Sequence, residues 1–433
     1  MSFKRLLYQV LLWRGGYLFS AFLLNLLFAR YYGASASSTV YYLINLYAFV
    51  LLAGSMSIES GMGFFLAKQE VKAEALYTFS ILWTVVMSVL SLLLLKVYFY
   101  FFDKEMVTDN LFWATAATYI PGQLLITFFS ALFYAREEAV LSNKILLAVN
   151  ILLIILLLVA GAAPALIGPG GYLHIYFLGV LLQGLMLAVR FRKNFTGTRA
   201  FPLPAPALLR KIYKYSLVAF TANVLFFLVY RMDYWFVKRF CTAGELGNYI
   251  QVSKLGQMLL VIPGILAGIV FPSTALASEK EMPVYLARMA RIAVLFFLLI
   301  FFFILFTGRW LFPLLFGDSF DQMYLPMLIV MPGILFLFIL APLSAYFGGL
   351  HRPGVNARGA LAGCLLILTG DILFIPHYKI IGAAAVSSAG YFACMLYSLL
   401  QFTKHHRISP ASMLLFKKED WLWLRRQIGN IHS

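Results

Sequence analysis

The chain has 433 residues, of which 62% are hydrophobic and only 12% charged, and its formal net charge is +17. A soluble domain carries about a quarter charged residues, so this chain has too little polar surface to face water, and lipid is the solvent that remains. Apolar runs such as 145–161 and 292–307 are long and continuous, which excludes a β-barrel with its short alternating strands and leaves helices that satisfy their own backbone.

A span needs roughly 20 apolar residues to cross a hydrocarbon core about 30 Å thick. On that measure the sequence predicts an all-α integral membrane protein with about twelve transmembrane helices. The first six lie near 8–31, 39–66, 76–102, 111–134, 142–163 and 170–190; the second six lie near 213–238, 247–276, 290–310, 322–348, 356–376 and 380–402. Ala34-Ser35-Ala36 resembles a cleavage site, but the apolar stretch before it runs from Leu6 to Tyr32 and is interrupted by Arg14. That is too long for the core of a signal peptide, so it reads as an uncleaved first span.

The domain reading follows. Residues 1–190 form an N-terminal six-helix bundle, and 191–212 a basic linker carrying Pro202, Pro204 and Pro206. Residues 213–402 form a C-terminal six-helix bundle, and 403–433 a basic tail. In the tail, Trp421 and Trp423 with Leu414 and Phe416 alternate with Lys417, Lys418, Arg425 and Arg426. That mixture predicts an amphipathic helix on the inner membrane surface.

Lys and Arg fall on alternate loops. One side holds Lys68, Lys72, Arg136, Lys144, the linker, Arg288, Arg291, Arg352, Arg358 and the tail; the other has Arg30, Lys104, Lys238, Arg239, Arg309 and Lys379. The bias is roughly four to one and places both termini in the cytoplasm. It also accounts for the net charge without a nucleic-acid partner. Cys241, Cys364 and Cys394 form no CxxC pair, and the histidines lack ligand spacing, so no metal and no cofactor is expected.

The halves echo each other at an offset of about 210 residues. Ile120-Pro121-Gly122 matches Met331-Pro332-Gly333, Gly54 falls at Gly264, and Arg30 at Arg239. A parallel duplication of six spans predicts two pseudo-symmetric bundles with a substrate site between them, the architecture of alternating-access transporters. Pro121, Pro263 and Pro332 are the candidate hinges, since proline removes a backbone donor and kinks a helix.

Charges at bilayer depth cost several kcal/mol and face an interior. Arg14, Arg231 and Lys254 are the candidate substrate-binding residues, because a basic cluster suits phosphate or pyrophosphate. Arg14 is also near enough to its helix end to snorkel. Glu59, Asp233 and Asp371 are the candidate coupling or charge-balancing groups. Glu59 lies in the polar patch Ser57-Ile58-Glu59-Ser60-Gly61, with Arg14 as a candidate partner, and Lys254 is the candidate partner of Asp233. Asp371 is either solvated near the outer surface or a proton or cation site.

The run Tyr230-Arg231-Met232-Asp233 leads to Gly247-Asn248-Tyr249, Ile262-Pro263 and Phe271-Pro272-Ser273, and the first span ends in Ala29-Arg30-Tyr31-Tyr32-Gly33. In that order and spacing the chain resembles the bacterial O-antigen-type polysaccharide flippases of the multidrug/oligosaccharidyl-lipid/polysaccharide exporter superfamily. It departs from their pattern where Ser35-Ala36-Ser37-Ser38 replaces acidic residues and a glycine. The resemblance implies a V-shaped transporter of the bacterial inner membrane. It would flip a polyprenyl-pyrophosphate-linked oligosaccharide outward by alternating access, with H+ or Na+ coupling and other polysaccharide-assembly proteins and membrane lipids as partners. Rival readings are a cation-coupled multidrug antiporter of the same superfamily and a membrane glycosyltransferase or polymerase. The antiporter calls for a more acidic cavity, and the enzyme for larger outer loops than these, so the reading is a transporter that catalyses no covalent chemistry.

Overall fold

The fold was taken from a computed structural model that describes residues 3–102, 104–163, 167, 169–197, 202–264, 267, 270, 282–350, 352–406, 409 and 420. Among them all regular structure is helical. In chain order the helices are α1 (Phe3–Ser55), α2 (Ile58–Ala67), α3 (Ala73–Phe102), α4 (Lys104–Thr108), α5 (Asn110–Ala135), α6 (Ala139–Ala162) and α7 (Pro169–Phe195). They continue as α8 (Pro206–Arg231), α9 (Asp233–Phe240), α10 (Ala243–Leu259), α11 (Met282–Phe316), α12 (Tyr324–Gly349) and α13 (Pro353–His406).

Nine helical stretches among the described residues are long and apolar enough to cross a membrane. Two of them are too long to be single crossings. A straight helix of 53 residues, the length of α1, would reach about 80 Å at 1.5 Å per residue. Each is broken at a residue off the helical basin, α1 at Gly33 (φ 70°, ψ 174°) and α13 at Lys379 (φ 53°, ψ −138°). Lys379 has a local reason to sit there, for its ammonium donates to the Phe240 carbonyl at 2.6 Å and so satisfies the end of α9. Counting each broken helix as two crossings and α10 as one more recovers the expected dozen.

Two spans expected as continuous are interrupted. The second stops at Ser55 and resumes at Ile58, with Met56 (φ 48°) and Ser57 (φ 52°) both left-handed. The seventh pauses at Met232 between α8 and α9. The eighth starts at a capping box, in which Thr242 Oγ1 accepts from the Glu245 amide (3.2 Å) while the Glu245 carboxylate accepts from the Thr242 amide (2.7 Å). Phe271-Pro272-Ser273 and the expected tail helix, Asp420 excepted, lie outside the described residues.

The chain divides into two compact units, one of residues 1–32 and 43–223, the other of 33–42 and 224–433. Within the first unit, α5 meets α7 at Gly122, where a Cβ would stand 2.7 Å from the Leu181 backbone. Within the second, α12 meets the last part of α13 at Gly333, where a Cβ would stand 2.8 Å from the Ser388 backbone. The Pro-Gly pairs that revealed the repeat thus do the same work in each unit, letting the fourth helix of a half approach its sixth. Around the first contact Tyr47 and Tyr119 each meet Phe177 edge to face and lie tilted against each other. Outward faces are apolar as well: Leu299, Phe303, Phe306 and Trp310 form an exposed stripe on α11 at helical spacing, as a surface bathed in acyl chains requires.

Arg288 and Arg291, near the start of α11, are engaged by the tail. The Asp420 carboxylate is fully buried and accepts two bonds from Arg291, at 2.6 and 2.8 Å, with Arg288 at 3.4 Å.

Candidate functional site

The second unit holds a buried polar cluster built around the break in the seventh span. Asp233 is the first residue of α9 and is 1% exposed. One of its oxygens, Oδ2, accepts from the Tyr249 hydroxyl on α10 and from Ser387 Oγ on α13 at 3.0 Å. The motif read from the sequence therefore closes on itself: the aspartate of Arg231-Met232-Asp233 is held by the tyrosine of Gly247-Asn248-Tyr249. Gly247 permits the approach of α10 to the chain, since a Cβ there would stand 2.1 Å from the Ala34 carbonyl oxygen.

Asp371 on α13 is 0% exposed and interacts electrostatically with Asp233. Neither of its carboxylate oxygens, nor Asp233 Oδ1, has a hydrogen-bond partner among the described residues. This removes the solvated alternative for Asp371. Two like charges buried together with acceptors to spare form a set that a shared proton or a hard monovalent cation relieves. The donor atoms are all oxygen, from two carboxylates and two hydroxyls, which suits H+ or Na+ and not a soft transition metal. No cluster of three or more His, Cys, Asp or Glu side chains occurs among the described residues.

The basic candidates Arg231 and Lys254 lie in the same unit. Arg231 ends α8, and its Nη2 donates to Gln257 Oε1 at 3.4 Å. Lys254 lies one helical turn before Gln257 on α10, with its ammonium 3.3 Å from the centroid of the Tyr41 ring. The two cations interact electrostatically, and Arg231 also acts on Asp233. The expected partnership of Lys254 with Asp233 is replaced by the two hydroxyl bonds. A small cavity of ≈ 10 Å³, about the room one water needs, lies between Tyr230, Tyr249, Gln257, Ser387 and Tyr391. It joins the Asp233 ligands to the partner of Arg231.

Arg14 and Glu59 belong to the first unit. Arg14 is exposed, with its guanidinium 5.4 Å from the Tyr17 ring. Glu59 is in the first turn of α2 and bonds Ser55, so the expected pair with Arg14 is not formed. Pro121 and Pro332 lie inside α5 and α12, which continue through them, and Pro263 lies in the helical stretch after α10. Sequence reasoning passed over Tyr249, Ser387, Gln257 and Tyr41. The first stood in the quoted motif, and Ser387-Ser388 is a polar pair in an apolar run. Nothing in the sequence marked Tyr41.

No known family's sequence profile matches the chain, and no curated protein sequence matches it. Solved structures do. An inward-facing multidrug resistance MATE family transporter of the MOP superfamily superposes with a TM-score of 0.71 at 11% identity, over 92% of this chain and 96% of that one. The lipid II flippase MurJ in an inward closed conformation gives 0.68 at 14% identity, over 95% and 89%. A MOP superfamily transporter from Pyrococcus furiosus, noted for the reverse polarity of its binding pocket, gives 0.61 at 13% identity, over 95% and 97%. The chain is a multi-pass helical membrane protein with the fold shared by the MATE and MurJ transporters.

Proposed function

We propose that this protein is a flippase for a polyprenyl-pyrophosphate-linked oligosaccharide, moving it from the cytoplasmic to the outer leaflet of a bacterial inner membrane for cell-surface polysaccharide synthesis. The observation that carries this reading is the proximity of Arg231 and Lys254 inside one unit. Two cations brought together at bilayer depth repel each other, and a diphosphate bridging them turns that repulsion into attraction. Arg14, in the other unit, is a further candidate for the same anionic cargo. The fold supports transport, and one of the structures that share it is named a lipid II flippase. The buried Asp233–Asp371 pair is the candidate coupling site for H+ or Na+. The bias of Lys and Arg between loops supports cytoplasmic termini in this reading.

The test is ligand-induced thermal stabilisation of the purified protein in detergent. Polyprenyl-pyrophosphate oligosaccharide raises the melting temperature of the wild type, and Arg231→Ala reduces the rise. Stabilisation by lipophilic cations alone, unaffected by the substitution, contradicts the reading in favour of a multidrug antiporter.

A further inference from the structure

We propose that the first unit carries a proton-binding site of its own, at the break in the second span, with Glu59 as the group that takes up and gives up the proton. Its mechanistic role rests on the transporter reading; its existence does not.

The break lies at depth. Glu59 is nine residues from Lys68, the residue that caps α2, or about 13 Å along a helix. Half the hydrocarbon core is about 15 Å. A left-handed non-glycine residue is uncommon, and two in succession, Met56 and Ser57, are a strained conformation that the surroundings must hold. They do so with polar groups. Trp83 Nε1 on α3 donates to the freed Gly54 carbonyl at 3.0 Å. Asn223 Nδ2 on α8 donates to Ser57 Oγ at 3.0 Å. The Ser57 amide donates to Ser55 Oγ at 3.2 Å, and Ser55 in turn bonds Glu59.

Two groups are left over. Among the described residues Glu59 Oε2 is buried without a hydrogen-bond partner, and so is Ser216 Oγ on α8. Ser216 is 1% exposed and faces the first turn of α2, its Oγ only 2.6 Å from where a Cβ on Gly61 would be. An interrupted membrane helix with an ionisable residue at the break is a recurrent ion site in transporters. A proton needs only one carboxylate, and Glu59 is the carboxylate at this turn. The step is simple: the carboxylate binds H+ and becomes a neutral acid, and loses it to become the anion.

Titratable groups on the helices packed against this turn are engaged with aromatic neighbours. Tyr215 stacks on Phe64 at 4.7 Å, Tyr213 meets Trp83 at 5.6 Å, Tyr77 meets Phe129 at 5.6 Å, and Lys68 lies over Phe64 at 4.4 Å. Lys211 and Lys214 on α8 are exposed, whereas Ile212 and Ser216 form its buried face.

The experiment is infrared difference spectroscopy of the full chain in detergent, titrated with pH in potassium salt and repeated with sodium at fixed pH. The wild type shows a protonated-carboxyl stretch that rises and falls with pH. Glu59→Gln loses one component of it; Asp233→Asn and Asp371→Asn keep that component, and Glu59→Asp retains it at a shifted frequency, which shows that the turn still folds. An unchanged band in Glu59→Gln at every pH overturns the proposal, as does loss of the Glu59 component on adding sodium. Failure of the lipid pyrophosphate to stabilise the protein, with the titrating band intact, overturns the flippase reading and leaves this site standing.

Discussion

At the scale of single residues, the argument turns on carboxylates that the fold buries and leaves short of donors. Among the described residues Asp233 receives two hydroxyl bonds on one oxygen and none on the other, and Asp371 receives none. Removing a partner from a buried charged group costs about 1–3 kcal/mol, so Tyr249→Phe is expected to lower the melting temperature. Asp233→Asn keeps an oxygen for Tyr249 and Ser387 while removing the charge. It is expected to melt like the wild type and to lose dependence of transport on a proton or sodium gradient, with the rate down by about tenfold or more. Gradient-driven transport in vesicles checks this, and an unaltered gradient dependence in Asp233→Asn removes the pair from coupling. The charged residues of this site were legible in the sequence, because a charge in an apolar run is conspicuous. Their partners were not: Lys254, on the helix that follows Asp233, looks like its mate in the sequence, and only three-dimensional packing decided for Tyr249 and Ser387. The partner of Arg288 and Arg291 was equally hidden, for the sequence counted these two only among the loop charges, and the structure engages them with the buried Asp420.

At the scale of elements, hydrophobic length recovered the spans, and the special backbone positions escaped it. Gly33 is a residue that turns readily, but Lys379 and the Met56-Ser57 pair adopt left-handed conformations that no propensity favours. Tertiary hydrogen bonds, from Lys379 to Phe240 and from Asn223 and Trp83 to the broken second span, hold them there. Helix contacts give the next expectation. A methyl at Gly333 must displace the Ser388 backbone, and one at Gly122 must displace Leu181, whereas a methyl at Gly264 meets nothing within 4 Å among the described residues. Gly122→Ala and Gly333→Ala are expected to destabilise by about 1–3 kcal/mol each through overpacking, and Gly264→Ala to leave stability unchanged. Melting curves of the three variants decide it. Equal behaviour of all three contradicts the close-approach account.

At the scale of the whole molecule, the duplication was visible in a handful of matched residues, and the matched Pro-Gly pairs prove to occupy equivalent helix contacts in each unit. That is why fold could be read from a sequence without a recognisable profile: apolar run length and close packing at a few small residues are physical requirements of the fold, which this chain shares with structures only 11–15% identical to it. Substrate identity does not persist in that way. It depends on a few charges whose positions vary within one fold, and the same architecture belongs to a multidrug transporter and to a lipid II flippase. The basic pair Arg231 and Lys254 is what separates the two readings here.

The central claim is therefore tested most directly by translocation itself. The full chain is reconstituted in liposomes with a fluorescent polyprenyl-pyrophosphate oligosaccharide in the inner leaflet, and its arrival outside is followed by access to an impermeant quencher. The account predicts that the lipid crosses with wild-type protein and that Arg231→Ala and Lys254→Ala slow the crossing without unfolding the protein. No crossing by a well-folded wild type, together with gradient-driven export of lipophilic cations from the same liposomes, contradicts it.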